Sequence, residues 1–218
     1  VQKGRTAAVA EVSPNEIHKR ELVAEVGALG AAVVTDELAV TPDRVAEFVE
    51  HYVAHVHADD LARTKPEQLL GVIMQHYELA RQRSAGTDEV AIFTPEKATH
   101  GFDLKGSTVL LVVTDDRPFL VDSVTMEITR QGWSIREVCH PQYIVVRDAA
   151  GDLTDVVHRA DKHPDGIPES WIEMEIYPPL GKSADELSDA LADGVLRALA
   201  DVRAATTDWQ QMRTRLSE

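Results

Sequence analysis

Apolar positions along the first third of the chain recur at helical spacing, and those further on come in short blocks of valine, isoleucine and aromatic residues. Leu69, Leu70, Ile73, Tyr77 and Ala80 fall on one face of a helix, so that stretch has a single buried side. Three helix starts are written as capping boxes: Ser13-Pro-Asn-Glu16, Thr64-Lys-Pro-Glu67 and Ser183-Ala-Asp-Glu186. In each, a hydroxyl serves an end-turn amide and a glutamate reaches back. Thr41-Pro42 is a fourth start, with proline where its missing N–H costs nothing. The pattern predicts helices over about 14–28, 42–55, 65–83 and 184–204, with 1–12 a loose end. Val, Ile and aromatic blocks predict strands over 89–94, 108–114, 134–147 and 170–177. A turn at 148–152 leads into a short return strand at 153–158, and 161–169 reads as a loop. A further helix spans 118–131, ended by Gly132.

This order divides the chain into a helical segment, 1–86, and an α+β segment, 87–218. The second reads strand, helix, strand, strand, helix, which suits a ferredoxin-like antiparallel sheet with helices packed on one face. Its customary last strand is missing, and 89–94 can fill that slot from the front, antiparallel to 108–114. In Thr108-Val-Leu-Leu-Val-Val-Thr114 both faces are apolar, as they are in Tyr143-Ile-Val-Val146. A sheet with helices on one face ordinarily leaves the other polar. The second face is therefore expected to be covered, by the N-terminal helices or by a second copy. Trp171, Glu173, Glu175 and Tyr177 share one side of 170–177, which places that strand nearer an edge.

Composition narrows the function classes. With 218 residues, 44% hydrophobic and 27% charged, the chain reads as a soluble globular protein with room for a proper core. No apolar run approaches a membrane span, and there is no leading signal segment. The single cysteine, Cys139, excludes an internal disulfide framework and fits a cytoplasmic setting. Twenty-two basic against 37 acidic residues give a net charge of -15. That field repels polyanions, so nucleic acid and anionic membranes are poor partners.

The chemistry-bearing candidates are few. At the corner between the strand 108–114 and its helix stand Asp115, Asp116, Arg117 and Pro118, with Asp122 one turn on. Adjacent carboxylates can hold a divalent metal or act as a base, yet consecutive strand residues face apart. A cheaper use is for Asp115 or Asp116 to cap the helix. Free helix amides there also suit a small anion or amino acid, which keeps Asp115, Asp116, Arg117 and Asp122 as a ligand-binding set. Cys139-His140 are strand neighbours that face apart and so make no catalytic pair. His51 and His55 have the i, i+4 spacing of zinc ligands, with His57 close by, but no cysteine completes a set. Asp59 and Asp60 read as the start of the next turn. Gly27-Ala-Leu-Gly30 lacks the preceding strand of a dinucleotide loop, and neither a phosphate-cradling loop nor a nucleophile elbow occurs. The residues assign no catalytic group, no metal and no cofactor to this segment.

Asp116-Arg117-Pro118, between an apolar strand and an amphipathic helix, resembles the corner of ACT domains, small ferredoxin-like modules often regulated by amino acids. Those modules commonly place glycine next, where this chain has Phe119. A longer stretch, TDDRPFLVDSVTMEITRQG followed by HPQYIVVRDAAGDL, is similar to the N-terminal region of the large bacterial NAD-dependent glutamate dehydrogenases. HYVAHVHADDL, HYELARQR and DVRAATTDWQQMRTRL extend the likeness over most of the chain beyond Thr41. The resemblance implies a parent enzyme that oxidatively deaminates L-glutamate to 2-oxoglutarate and ammonia with NAD, its NAD and glutamate sites lying far downstream. It implies an ACT-like, non-catalytic role here: docking to other domains or subunits of a homo-oligomer, with amino-acid sensing as the alternative.

Overall fold

Strand β2 (Thr108–Asp115) organises the molecule, because Val109 to Val113 are wholly withdrawn from solvent on both sides of the sheet. The computed structural model describes residues 13–34, 39–158 and 163–217, with side chains as far as 207. The stretch 1–12, expected to be loose, lies outside the described residues. Helices α1 (Pro14–Val33), α2 (Val45–Tyr52) and α3 (Pro66–Ala80) come first, with a short 3-10 turn at Asp60–Arg63. Then follow β1 (Glu89–Phe93), a single-turn helix α4 (Lys97–His100), β2, and α5 (Leu120–Arg130). Strands β3 (Ser134–Cys139), β4 (Gln142–Arg147), β5 (Leu153–His158) and β6 (Ile167–Tyr177) precede the long α6 (Ala184–Ser217).

All strand pairings are antiparallel, in the order β1-β2-β6-β4-β5, with β3 also paired to β6. Counting β2 as the first strand, β3 with β4 as the second and β6 as the third, this is a ferredoxin-like sheet. β1 enters from the front as the missing fourth strand, with Glu89 opposite Val113 and Phe93 opposite Val109. The expected single strand over 134–147 is one lane broken at His140-Pro141. Proline there has no N–H to give the ladder; instead its carbonyl accepts from the Trp171 N–H at 3.0 Å. β6 begins at Ile167, inside the expected loop, and is the central strand rather than an edge strand. Its two neighbouring lanes bury Trp171, Ile172, Met174 and Ile176 completely.

Each face of the sheet has its own cover. Leu110, Val112, Ile172, Met174 and Ile176 pack with Val124 and Ile128 of α5 and Leu191, Val195 and Leu199 of α6. On the reverse face Val113, Tyr143, Val145 and Trp171 pack with Val26, Phe48, Val49, Ile73 and Tyr77. The helical segment is thus the second cover. Phe48 stacks on Tyr143 at 5.0 Å between ring centroids and meets Trp171 edge-on at 6.0 Å.

Several helix ends differ from the sequence reading. Ser13 does cap α1, its hydroxyl accepting from the Glu16 N–H at 3.2 Å. That helix runs past Ala28 to Val33 because its glycines let it approach α2: a Cβ on Gly30 would lie 2.7 Å from Val45 Cγ1. α2 starts only at Val45, since the Thr41 hydroxyl is spent on Asp43 at 2.7 Å. At α3 the reciprocal bond comes from Gln68, whose Oε1 accepts from the Lys65 N–H at 3.1 Å, one residue along from the expected box. α6 continues well beyond 204.

Candidate functional site

The corner after β2 opens onto a buried ionic cluster. Glu169 on β6 is fully buried, and its carboxylate accepts from two arginines and a tryptophan. Oε1 takes Arg83 Nε at 3.0 Å, Arg83 Nη2 at 2.7 Å and Arg147 Nε at 2.7 Å. Oε2 takes Arg147 Nη2 at 2.9 Å and Trp171 Nε1 at 3.2 Å. Arg83, just past α3, also donates to Asp115 Oδ1 at 2.8 Å and to the Thr87 carbonyl at 2.7 Å. Burial opposes the Arg83 charge, but Glu169 and then Asp115 outweigh it and raise its pKa. Arg147 Nη1 donates to the carbonyls of Ala80 and Gly151, each at 2.9 Å. A cation thus closes the carbonyl end of α3, where the helix dipole favours one.

The cluster requires the chain to come very close at the 148–152 turn. Arg83 N–H donates to the Gly151 carbonyl at 3.0 Å. Gly151 has φ +91°, and a Cβ there would sit 2.6 Å from the Arg83 carbonyl oxygen. Only glycine fits both conditions.

The four predicted ligand-binding residues are distributed as follows. Asp115 bridges Arg83 and, through Oδ2, Arg117 Nη2 at 3.4 Å. Asp116 Oδ1 accepts from Ser170 Oγ at 2.7 Å and Gln142 Nε2 at 2.8 Å, and its N–H donates to the Pro168 carbonyl at 2.9 Å. Arg117 Nη1 reaches the Thr206 and Thr207 hydroxyls of α6 at 3.3 and 3.4 Å. Asp122 is exposed in the first turn of α5. Neither Asp115 nor Asp116 caps the helix, contrary to the sequence reading. The N-cap is Phe119, without a side-chain cap bond. Arg117 to Phe119 separate the carboxylates from the first turn; Asp115 is taken by charge-assisted bonds to arginine, which outcompete an amide, and Asp116 by Ser170 and Gln142.

The other candidates take structural places. Cys139 is buried and gives its S–H to the Tyr52 carbonyl at 2.9 Å, and burial pushes its thiol pKa up. His51 Nε2 lies 2.8 Å from the Gln142 carbonyl, and α2 ends before His55, so those two histidines do not share a helix face. Among the described residues no group of three or more His, Cys, Asp or Glu side chains could hold a metal ion. Likewise no described helix is long and apolar enough to cross a membrane.

Sequence reasoning passed over His76, which is fully buried between Tyr52 and β2. Its Nε2 is 3.1 Å from the Val112 carbonyl, which can only accept, so Nε2 carries the proton. Nδ1 then accepts from the Tyr52 hydroxyl at 2.7 Å. Burial lowers the pKa of His76 to about 4, and the ring is neutral. Its spacing from Leu69, Ile73 and Ala80 was the available signal.

A family model described as "Glutamate dehydrogenase, ACT1 domain" matches residues 48–191, most of the chain. The chain belongs to that family. Its match starts on α2, inside the helical segment, and takes in the whole sheet, the ionic cluster and the start of α6. Among similar proteins are NAD-specific glutamate dehydrogenases. That of Pseudomonas aeruginosa is 29% identical over 80% of this chain and 11% of its own length. The Halomonas elongata protein is 28% identical over 78% of this chain and 10% of its own. The Mycobacterium tuberculosis protein is 29% identical over 66% and 8%. The chain thus spans about a tenth of the length of the curated relatives it matches. As an ACT1-domain member it has the expected α+β fold, and its helical segment completes the core.

Proposed function

We propose that this chain is a non-catalytic, N-terminal architectural and regulatory module of a large NAD-dependent glutamate dehydrogenase. The parent enzyme would convert L-glutamate, NAD and water to 2-oxoglutarate, ammonia and NADH in the cytoplasm. NAD would bind outside this segment, and the module's partners would be other domains or subunits of a homo-oligomer. The observation that carries this reading is the Arg83–Glu169–Arg147–Asp115 cluster. Its charged groups are spent on one another across the junction of the helical segment and the sheet. All five donors to Glu169 come from within the chain, leaving its carboxylate saturated rather than poised as a base. Such a junction makes a stiff body suited to holding larger domains in register.

The purified chain is expected to show no glutamate-dependent reduction of NAD, whereas the whole enzyme does. Turnover that copurifies with the chain through successive columns would overturn the proposal. Amino-acid sensing at Asp115–Pro118 is the alternative. A thermal-shift screen of amino acids, with Asp116→Ala as the control, separates the two: a ligand shift lost in the variant would favour sensing.

A further inference from the structure

The reverse face of the sheet is not sealed along its whole length. Where the 3-10 turn and the start of α3 pass over β3 and β6, a cleft of about 250 Å³ remains. Its apolar wall comes from Leu61, Leu69 and Val72. Its floor is acidic: Cys139 pairs with Glu173 and Glu137 with Glu175, which puts the three glutamates side by side on adjoining strands. Glu175 is answered by Arg136. Glu173 makes no such ion pair among the described residues, although the Arg136 charge acts on it from a distance. It is 7% exposed, it lines the cleft, and no hydrogen bond to its carboxylate forms among the described residues. A buried, unbonded carboxyl is costly to keep, whether charged or neutral. Burial first, and then the neighbouring Glu137 and Glu175, hold Glu173 well above the usual carboxylate range, and burial lifts Glu137 to about 7.

The mouth of the cleft has the opposite character. Arg63, Lys65 and Lys105 line it, and all three are exposed. One end of the cleft therefore sets three carboxylates against the single cation of Arg136, and the other offers cations to an anion. The net charge of -15 on the chain adds to the attraction for a positive group but does not explain the basic mouth.

We infer that this cleft binds a small zwitterion, with its ammonium or guanidinium end on Glu173 and Glu137 and its anionic end among Arg63, Lys65 and Lys105. The volume lies below the usual range for drug-sized ligands, which limits the occupant to a compact metabolite. A pure cation would satisfy the floor yet meet the basic mouth. A pure anion would leave Glu173 without a donor. The cleft lies on the sheet face away from α5 and α6, apart from the Asp115–Pro118 corner, and the inference holds whether or not the docking role does.

The test compares three probes of matched length on the 218-residue chain: 4-aminobutanoate, 1-aminobutane and butanoate. Calorimetry and thermal shift are expected to detect 4-aminobutanoate most strongly, 1-aminobutane more weakly and butanoate not at all. Glu173→Gln should weaken 4-aminobutanoate by about tenfold or more, the scale of losing a charged hydrogen bond, while the variant stays folded. Lys105→Ala combined with Arg63→Ala should bring the zwitterion down to the level of the amine. No response to either ammonium probe overturns the site, and so does binding that survives Glu173→Gln. Equal responses to 4-aminobutanoate and 1-aminobutane overturn the placing of the anionic end.

Discussion

Replacing Glu169 with glutamine tests the junction most directly, because it removes one charge while preserving volume. In the wild type the carboxylate offsets two guanidinium groups, Arg83 at 1% and Arg147 at 4% side-chain exposure. Neither can turn to water without breaking its backbone partners at Thr87, Ala80 and Gly151. After the substitution, Arg83 keeps Asp115 as its anionic partner beside the Thr87 carbonyl, and Arg147 faces an amide with half the acceptors. Breaking a buried pair on one side costs about 3–5 kcal/mol. For a chain of this size, each kcal/mol moves Tm by about 2–4 °C, so a fall of about 6–20 °C is expected. Asp115→Asn is the internal comparison: that side chain is 22% exposed, water can replace part of what is lost, and the cost should be nearer 1 kcal/mol. Urea unfolding with an unchanged m-value supplies the free energies. Hydrogen exchange should show α1, α2 and α3 losing protection before β2 and β6. A loss below about 1 kcal/mol for Glu169→Gln, or one no larger than for Asp115→Asn, would refute the claim that the cluster holds the two segments together.

Three further outcomes are expected. Phe119 adopts φ +71° and is 69% exposed, so Phe119→Gly should raise stability by about 1 kcal/mol by relieving a left-handed conformation; a loss in urea midpoint would contradict that. Val112→Asp places an unpaired charge at a fully buried central position and should abolish the cooperative transition in circular dichroism, while an unchanged soluble variant would contradict the sheet packing. Stability should also fall towards both ends of the pH range. Glu137, raised from 4.5 to about 7, contributes fully below pH 4.5 and is lost as pH rises through 7, whereas His76, lowered from 6.5 to about 4, contributes fully above 6.5 and is lost as pH falls. Glu137→Gln should flatten the alkaline limb of a urea-midpoint profile and His76→Asn the acid limb; profiles unchanged by these substitutions would contradict the assignments.

Much of the fold was legible because its signals are local. The double-faced apolar run in β2 required a second cover, and the first 85 residues held the helices to provide it. The slot for β1 followed from counting strands against the ferredoxin-like order. What escaped depends on contacts distant in sequence. Trp171, Glu173 and Glu175 alternate with Ile172 and Met174 as they would in a half-wet edge strand, yet β6 is central. Alternation reports two unlike environments, and here one is apolar while the other is a junction lined with charge. The ionic cluster joins residues 83, 115, 147 and 169, and no window of sequence contains them all. Asp115-Asp116 stood out because the pair is adjacent, but adjacency led to a capping role that Arg83 and Arg117 pre-empt at Asp115 and Ser170 and Gln142 at Asp116.

The two covers also bear on how such a module could meet its neighbours. An isolated ferredoxin-like sheet with helices on one face can bury its bare face only against another body. Here Phe48, Tyr77, Tyr143 and Trp171 fill that space from within the chain. Stacking a second sheet on that face would require displacing the helical segment, and with it the bonds of Arg83 to Glu169 and of Arg147 to the Ala80 carbonyl. In the proposed role, contact with the rest of a large enzyme would then fall to strand edges and outer helix surfaces, so that assembly and folding would rest on different residues. Glu169→Gln should therefore loosen any assembly only to the extent that it unfolds the chain, and an outer substitution on α5 should do the reverse.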